Sequence, residues 1–82
     1  MKYSNNEEIM LGDLVQWSNS PEEIGYVVCL IDEGKFIDGY DFSYLTKEGG
    51  GIMVLFNTMG LVQIMKDDHI MNIELVSHLN RK

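Results

Sequence analysis

Eighty-two residues make one domain, and a chain of this size buries only roughly 60% of the surface that its unfolded form exposes, so function belongs on its surface rather than in a roomy interior site. Thirteen acidic against six basic side chains leave a net charge of −7. Phosphate backbones demand clustered Lys and Arg, so this charge balance disfavours direct binding of DNA or RNA. It is read as a solvated surface that keeps a small domain soluble, with a docking face for a basic partner as the sharper alternative.

In chain order, Met1 to Glu8 carries two acids and no apolar h-region after Lys2, so export by a signal peptide is not expected, and residues 1–8 read as a flexible tail. The domain is placed at residues 9–79, with 80–82 as a C-terminal tail. Three apolar blocks, each opened by a glycine, follow: Gly12 to Trp17, Gly25 to Ile31 and Gly51 to Phe56. β-Branched and aromatic residues fill them and turn formers separate them, the pattern of short antiparallel strands. Between the first two blocks, Ser20 and Glu23 have capping-box spacing and Pro21 suits a first helical position, so one helical turn is predicted there, stopped by Gly25. The block from Tyr26 to Ile31 is apolar on both faces and reads as a central strand covered on both sides. Cys29 lies within it, has no partner for a bridge inside the chain, and points to a reducing, cytoplasmic setting.

From Asp32 to Gly51 the chain is irregular, with turn signals at Asp32-Glu33-Gly34, Asp38-Gly39 and Gly49-Gly50-Gly51. The two-residue spacing of Tyr40, Phe42 and Tyr44 predicts a short extra strand. Asn57-Thr58-Met59-Gly60 reads as a four-residue hairpin loop with Gly60 at positive φ. The segment Gly49 to Met65 carries no charge, but it is interrupted by that loop and falls short of the ~20 apolar residues of a membrane helix. Lys66 to Met71 is assigned a helical turn and Ile73 to Val76 a last strand. The fold class is therefore all-β: a five- to six-stranded antiparallel barrel with one short helical turn before the last strand.

Gly12 to Trp17, the Ile24-Gly25-Tyr26-Val27-Val28 entry, Met53 to Phe56 and the turn before Ile73-Glu74-Leu75-Val76 together resemble a Src-homology-3-like small barrel, over roughly Ile9 to Ser77. They are similar in particular to short barrel proteins of tailed bacteriophages, including phages of cyanobacteria. The resemblance implies a fold and brings no catalytic residue. Gly25-Tyr26-Val27 also looks like the glycine-centred element of the ribosomal and elongation-factor barrels called KOW. Those meet RNA or protein with basic loops, whereas the loop before Gly25 carries Glu22 and Glu23.

The aromatics Phe36, Tyr40, Phe42 and Tyr44, with Trp17 and Tyr26, are candidates for a cage around a basic or methylated peptide; otherwise they cover the open end of the barrel. Glu22 and Glu23 complete the candidate partner-binding set. Cys29, His69 and His78 are isolated in sequence, so no metal or other cofactor is expected. Asp67-Asp68-His69 is read as acids capping a turn. An enzyme is not expected either: Cys29 lies in the most apolar strand, no carboxylate pair sits in an apolar context, and Gly49-Gly50-Gly51 lacks the Lys-Ser or Lys-Thr step of a phosphate loop. The leading reading is a non-catalytic protein-interaction module, with a phage accessory protein as the setting that the resemblance implies. An acidic inhibitor that imitates nucleic-acid charge is the alternative, and Met53, Met59, Met65 and Met71 leave self-association open.

Overall fold

The computed structural model describes residues 3, 7–65 and 73–78. Among the described residues six strands form one antiparallel sheet: β1 (Leu14–Trp17), β2 (Ser20–Leu30), β3 (Lys35–Phe36), β4 (Ile52–Phe56), β5 (Gly60–Ile64) and β6 (Ile73–Ser77). The strand order is β5-β4-β2-β1-β6, with β3 paired to the far end of β2. Two 3-10 turns, Ile31–Glu33 and Ser43–Glu48, lie in the long connection between β2 and β4. The all-β class and the antiparallel pairing are as expected. Closure is not: β5 and β6 do not pair with each other, so the sheet is open where a barrel was predicted. The helical turn assigned to Lys66 to Met71 lies outside the described residues.

Three local expectations give way to tertiary pairing. Ser20 to Glu23 is strand rather than helical turn, because Trp17 pairs with Ser20 and Gln16 with Ile24. The ladder skips Pro21 to Glu23 as a bulge, so the missing Pro21 N–H leaves no partner unsatisfied. Tyr40 to Tyr44 is not a strand. Asp41 accepts hydrogen bonds from the Ser43 N–H (3.0 Å) and hydroxyl (2.7 Å), and the Thr46 hydroxyl donates to Ser43 O (2.7 Å). These local bonds offer the backbone an alternative to a ladder and start the second 3-10 turn. The extra strand forms instead at Lys35–Phe36, opposite Cys29 and Leu30. The β4–β5 hairpin is as predicted but one residue shorter in its loop: Phe56 pairs with Gly60, which takes φ +75°.

The sheet has two apolar faces. On the inner face Val15, Val27, Val54, Phe56, Ile52, Ile64 and Ile73 form one buried cluster, joined by Leu30, Ile9 and Tyr3. Gly25 belongs to this face, and a Cβ there would come within 2.8 Å of side-chain atoms of both Phe56 and Val54 and 2.9 Å of Leu55 O. The glycine is thus required by close approach across the sheet rather than by a helix stop. On the outer face Val28, Cys29, Ile31 and Met53 form a second cluster, covered by Tyr40, Phe42, Leu45 and Leu55. Val28 and Cys29 are consecutive yet both join it. The ladder shifts register between Val27 and Cys29, and the bulge turns two neighbouring side chains to one face.

The N-terminal boundary also moves. Tyr3, placed in a flexible tail by the sequence, is 4% exposed and part of the inner cluster. Its hydroxyl donates to Asp13 Oδ2 at 2.7 Å. With one buried ring and one buried hydrogen bond, Tyr3 packs as part of the domain.

Candidate protein-interaction surface

Alternation along paired strands puts Leu14, Tyr26, Leu55 and Leu61 in one row across the outer face: Leu14 opposite Tyr26, Tyr26 opposite Leu55, Leu55 opposite Leu61. One row further along, the same face is roofed by the long connection over Val28, Cys29 and Met53. At the row of Tyr26 the roof stops. Tyr26 is 45% exposed and Leu61 44%, while Leu55 is half-buried because it also packs against the covered cluster. The result is a shelf of four large apolar side chains on four adjacent strands, continuous with a buried core at one edge. Such a continuous patch differs from leucines scattered singly over a surface.

The candidate residues separate into three groups. Tyr40 and Phe42 pack over the outer cluster, and Tyr44, 69% exposed, lies against Phe42 with ring centroids 6.2 Å apart. Trp17 is elsewhere. It packs against the inner cluster and meets Phe56 edge to face at 5.8 Å. Trp17 and the loop aromatics therefore belong to opposite faces, and a single cage drawn from both is not assembled. Phe36 is exposed on the short strand β3. Tyr26 stands alone among the aromatics on the shelf.

The two acids of the set also differ. Glu22 is exposed in the bulged start of β2. Glu23 is turned inward on the hairpin loop: its carboxylate accepts from the Thr58 hydroxyl, from the Thr58 N–H (2.8 Å) and from the Met59 N–H (2.9 Å). The Thr58 hydroxyl, then the Met59 and Thr58 amides, hold its carboxyl below the ordinary carboxylate value. Glu23 ties β2 to the β4–β5 loop instead of waiting for a partner. Asp32 similarly accepts from the Gly51 N–H at 3.0 Å and closes the long connection onto β4.

A buried polar centre that the sequence does not announce lies at the other end. Asp13, 1% exposed, accepts from Tyr3 Oη (2.7 Å) and from the Met10 N–H (2.9 Å), and its Oδ1 lies 2.7 Å from His78 Nδ1. His78 Nε2 lies 3.5 Å from a Glu7 carboxylate oxygen. Desolvation first, and then the Asp13 hydrogen bond, push the Tyr3 hydroxyl far above its ordinary pKa, so it remains a donor. The Asp13 carboxylate joins the residues before β1 to the residue after β6. With three partners converging on its buried carboxylate, Asp13 is a structural hub. Only the spacing Gly12-Asp13, an acid immediately before an apolar strand, hinted at it.

Cys29 is fully buried, and burial is the main cause that raises its thiol pKa, as expected for an inert cysteine. No helix among the described residues is long and apolar enough to cross a membrane. Comparison with protein-family models, with curated proteins and with solved structures gave no match.

Proposed function

We propose that this protein is a non-catalytic protein-interaction module whose contact surface is the shelf of Leu14, Tyr26, Leu55 and Leu61. One observation carries the reading: the outer face is roofed over Val28 and Cys29 but ends in a half-exposed aromatic at its open row. A tyrosine flanked by aliphatic side chains supplies a large, rigid anchor at low entropic cost, the composition of an interface centre. The shelf carries no charge of its own, so its partner presents an apolar or aromatic segment rather than a basic one. A Src-homology-3-like domain of a phage accessory protein, acting in a reducing cytoplasm, is the proposed setting. The strand order β5-β4-β2-β1-β6 supports the fold part of this reading and the buried free Cys29 the reducing compartment.

Imitation of nucleic-acid charge draws less support. Asp13 is buried, and Glu23 and Asp32 are tied by hydrogen bonds to turns at separate places in the fold, so the carboxylates are not laid out along one elongated face. Selection from a displayed random-peptide library tests the two readings. Binders anchored by aromatic or aliphatic residues, insensitive to salt and lost with Tyr26→Ala, are the expected result. Binders that are basic, weaken steeply with salt and survive Tyr26→Ala would overturn the shelf.

A further inference from the structure

The Asp13 hub holds one atom that its hydrogen-bond network does not use. Asp13 Oδ2 accepts from the Tyr3 hydroxyl (2.7 Å) and the Met10 N–H (2.9 Å), and Oδ1 lies 2.7 Å from His78 Nδ1. A carboxylate only accepts, so in the neutral ring this network places the proton on Nδ1, which donates it to Oδ1. Nε2 then presents a lone pair. It is buried without a hydrogen-bond partner, in a side chain that is only 10% exposed. A native buried polar atom in that state needs a physical explanation.

Facing Nε2, at 3.5 Å, is Oε2 of Glu7. Both atoms are electron-pair donors, so a cation suits the place between them, and their separation discriminates which. A shared proton draws nitrogen and oxygen to about 2.7–2.9 Å. Two ligands at the bond lengths of zinc, about 2.0–2.2 Å, and at the tetrahedral angle lie about 3.3–3.5 Å apart. The 3.5 Å between His78 and Glu7 falls with the second. The rest of the hub fits as well. A histidine that ligates zinc ordinarily donates its other ring N–H to a carboxylate, which fixes the ring and raises its basicity. Here that carboxylate is Asp13, itself held by Tyr3 and Met10.

We propose that Glu7 and His78 form a binding site for a divalent transition-metal ion of the zinc class, with His78 Nε2 and Glu7 Oε2 as ligands and Asp13 orienting the imidazole. Among the described residues no group of three ligating side chains converges, so water completes the coordination and the site is open and exchangeable. The nitrogen ligand selects zinc over magnesium and calcium, hard cations that take oxygen. Entry is from the side of Glu7, whose side chain is 45% exposed. The ion ties the segment before β1 to the residue after β6, and a ligand held only by the folded chain stabilises it by mass action. Glu7 and His78 stand near opposite ends of the sequence, which is why no metal motif is legible there. The inference is independent of what occupies the shelf.

Zinc chloride added to the full chain up to about 1 mM tests it, with the ring nitrogens of isotope-labelled histidine followed by NMR and thermal unfolding measured alongside. The expected result is a displaced His78 Nε2 resonance, an Nδ1 that keeps its proton, and a Tm that rises with zinc concentration. Magnesium and calcium at the same concentration produce neither change. Glu7→Gln, at a half-exposed side chain, weakens zinc binding about tenfold or more. His78→Ala abolishes it, and the resonances of the unmodified chain carry the test should that variant fold poorly. His69→Ala and Tyr26→Ala leave binding unchanged, which separates the site from Asp67-Asp68-His69 and from the shelf. Unmoved His78 resonances at the highest zinc concentration, zinc binding that survives His78→Ala, or an equal response to calcium would overturn the proposal.

Discussion

The two faces of the sheet are made from the same strands and similar residues, yet one is closed and the other is half open. The inner face is filled by side chains that alternate along β1, β4 and β5 and by Val27 and Leu30 on either side of the β2 bulge, and it is completed by Tyr3 and Ile9 from the N-terminal segment. The outer face depends on one long connection, whose Tyr40, Phe42 and Leu45 reach only as far as Val28, Cys29 and Met53. What separates a buried core from an exposed apolar row here is the reach of a loop. Hydrophobicity alone does not distinguish Val54, fully buried, from Leu61 on the adjacent strand.

If the inner face is the stabilising one, the largest loss should come from its polar hub. Asp13→Ala leaves Tyr3 and His78 without their shared acceptor in a buried setting, and urea unfolding should show a loss of about 3–5 kcal/mol. A loss below about 1 kcal/mol, the level of a surface ion pair, would mean that the hub is not coupled to the core. Gly25→Ala comes next, at about 1–3 kcal/mol, because the added methyl group meets Phe56, Val54 and Leu55 O at close range.

The pH dependence sharpens the same comparison. The pKa of the Tyr3 hydroxyl is raised in the folded state above its ordinary 10.0, so its contribution is fully present below pH 10.0 and is lost as pH rises beyond that. Alkaline unfolding should therefore steepen above pH 10.0, and Tyr3→Phe should flatten that limb. The Glu23 carboxyl moves the other way. Held below its ordinary 4.5, it contributes above that pH and loses its contribution as the solution is acidified. The effect is the smallest of the set because the carboxylate is exposed, and Glu23→Ala should flatten the acid limb of stability measured by urea titration.

Much of the fold was legible because strand-forming residues and turn formers alternate on a length scale that local chemistry sets. Gly12 to Trp17, Gly25 to Ile31 and Gly51 to Phe56 each became a strand or most of one, and Gly60 took the positive φ that its loop requires. Ser20 to Glu23 misled because the capping box is a local preference worth about 1 kcal/mol, and pairing with β1 outweighs it. The aromatic set was legible as a list of residues but not as a site. Trp17 turns inward in alternation with Val15 on β1, whereas Phe42 reaches the outer cluster from the long connection, so the two lie on opposite faces.

Composition and period by themselves determined that this chain is all-β, acidic, glycine-punctuated and built around a central apolar strand, since each of those properties belongs to residues near one another in sequence. Only the tertiary structure decided that Tyr3, Asp13 and His78 meet, that Glu23 serves the fold, and that Tyr26 is left half exposed. Those outcomes depend on contacts across tens of residues, which loop reach and strand register create and which no local pattern encodes.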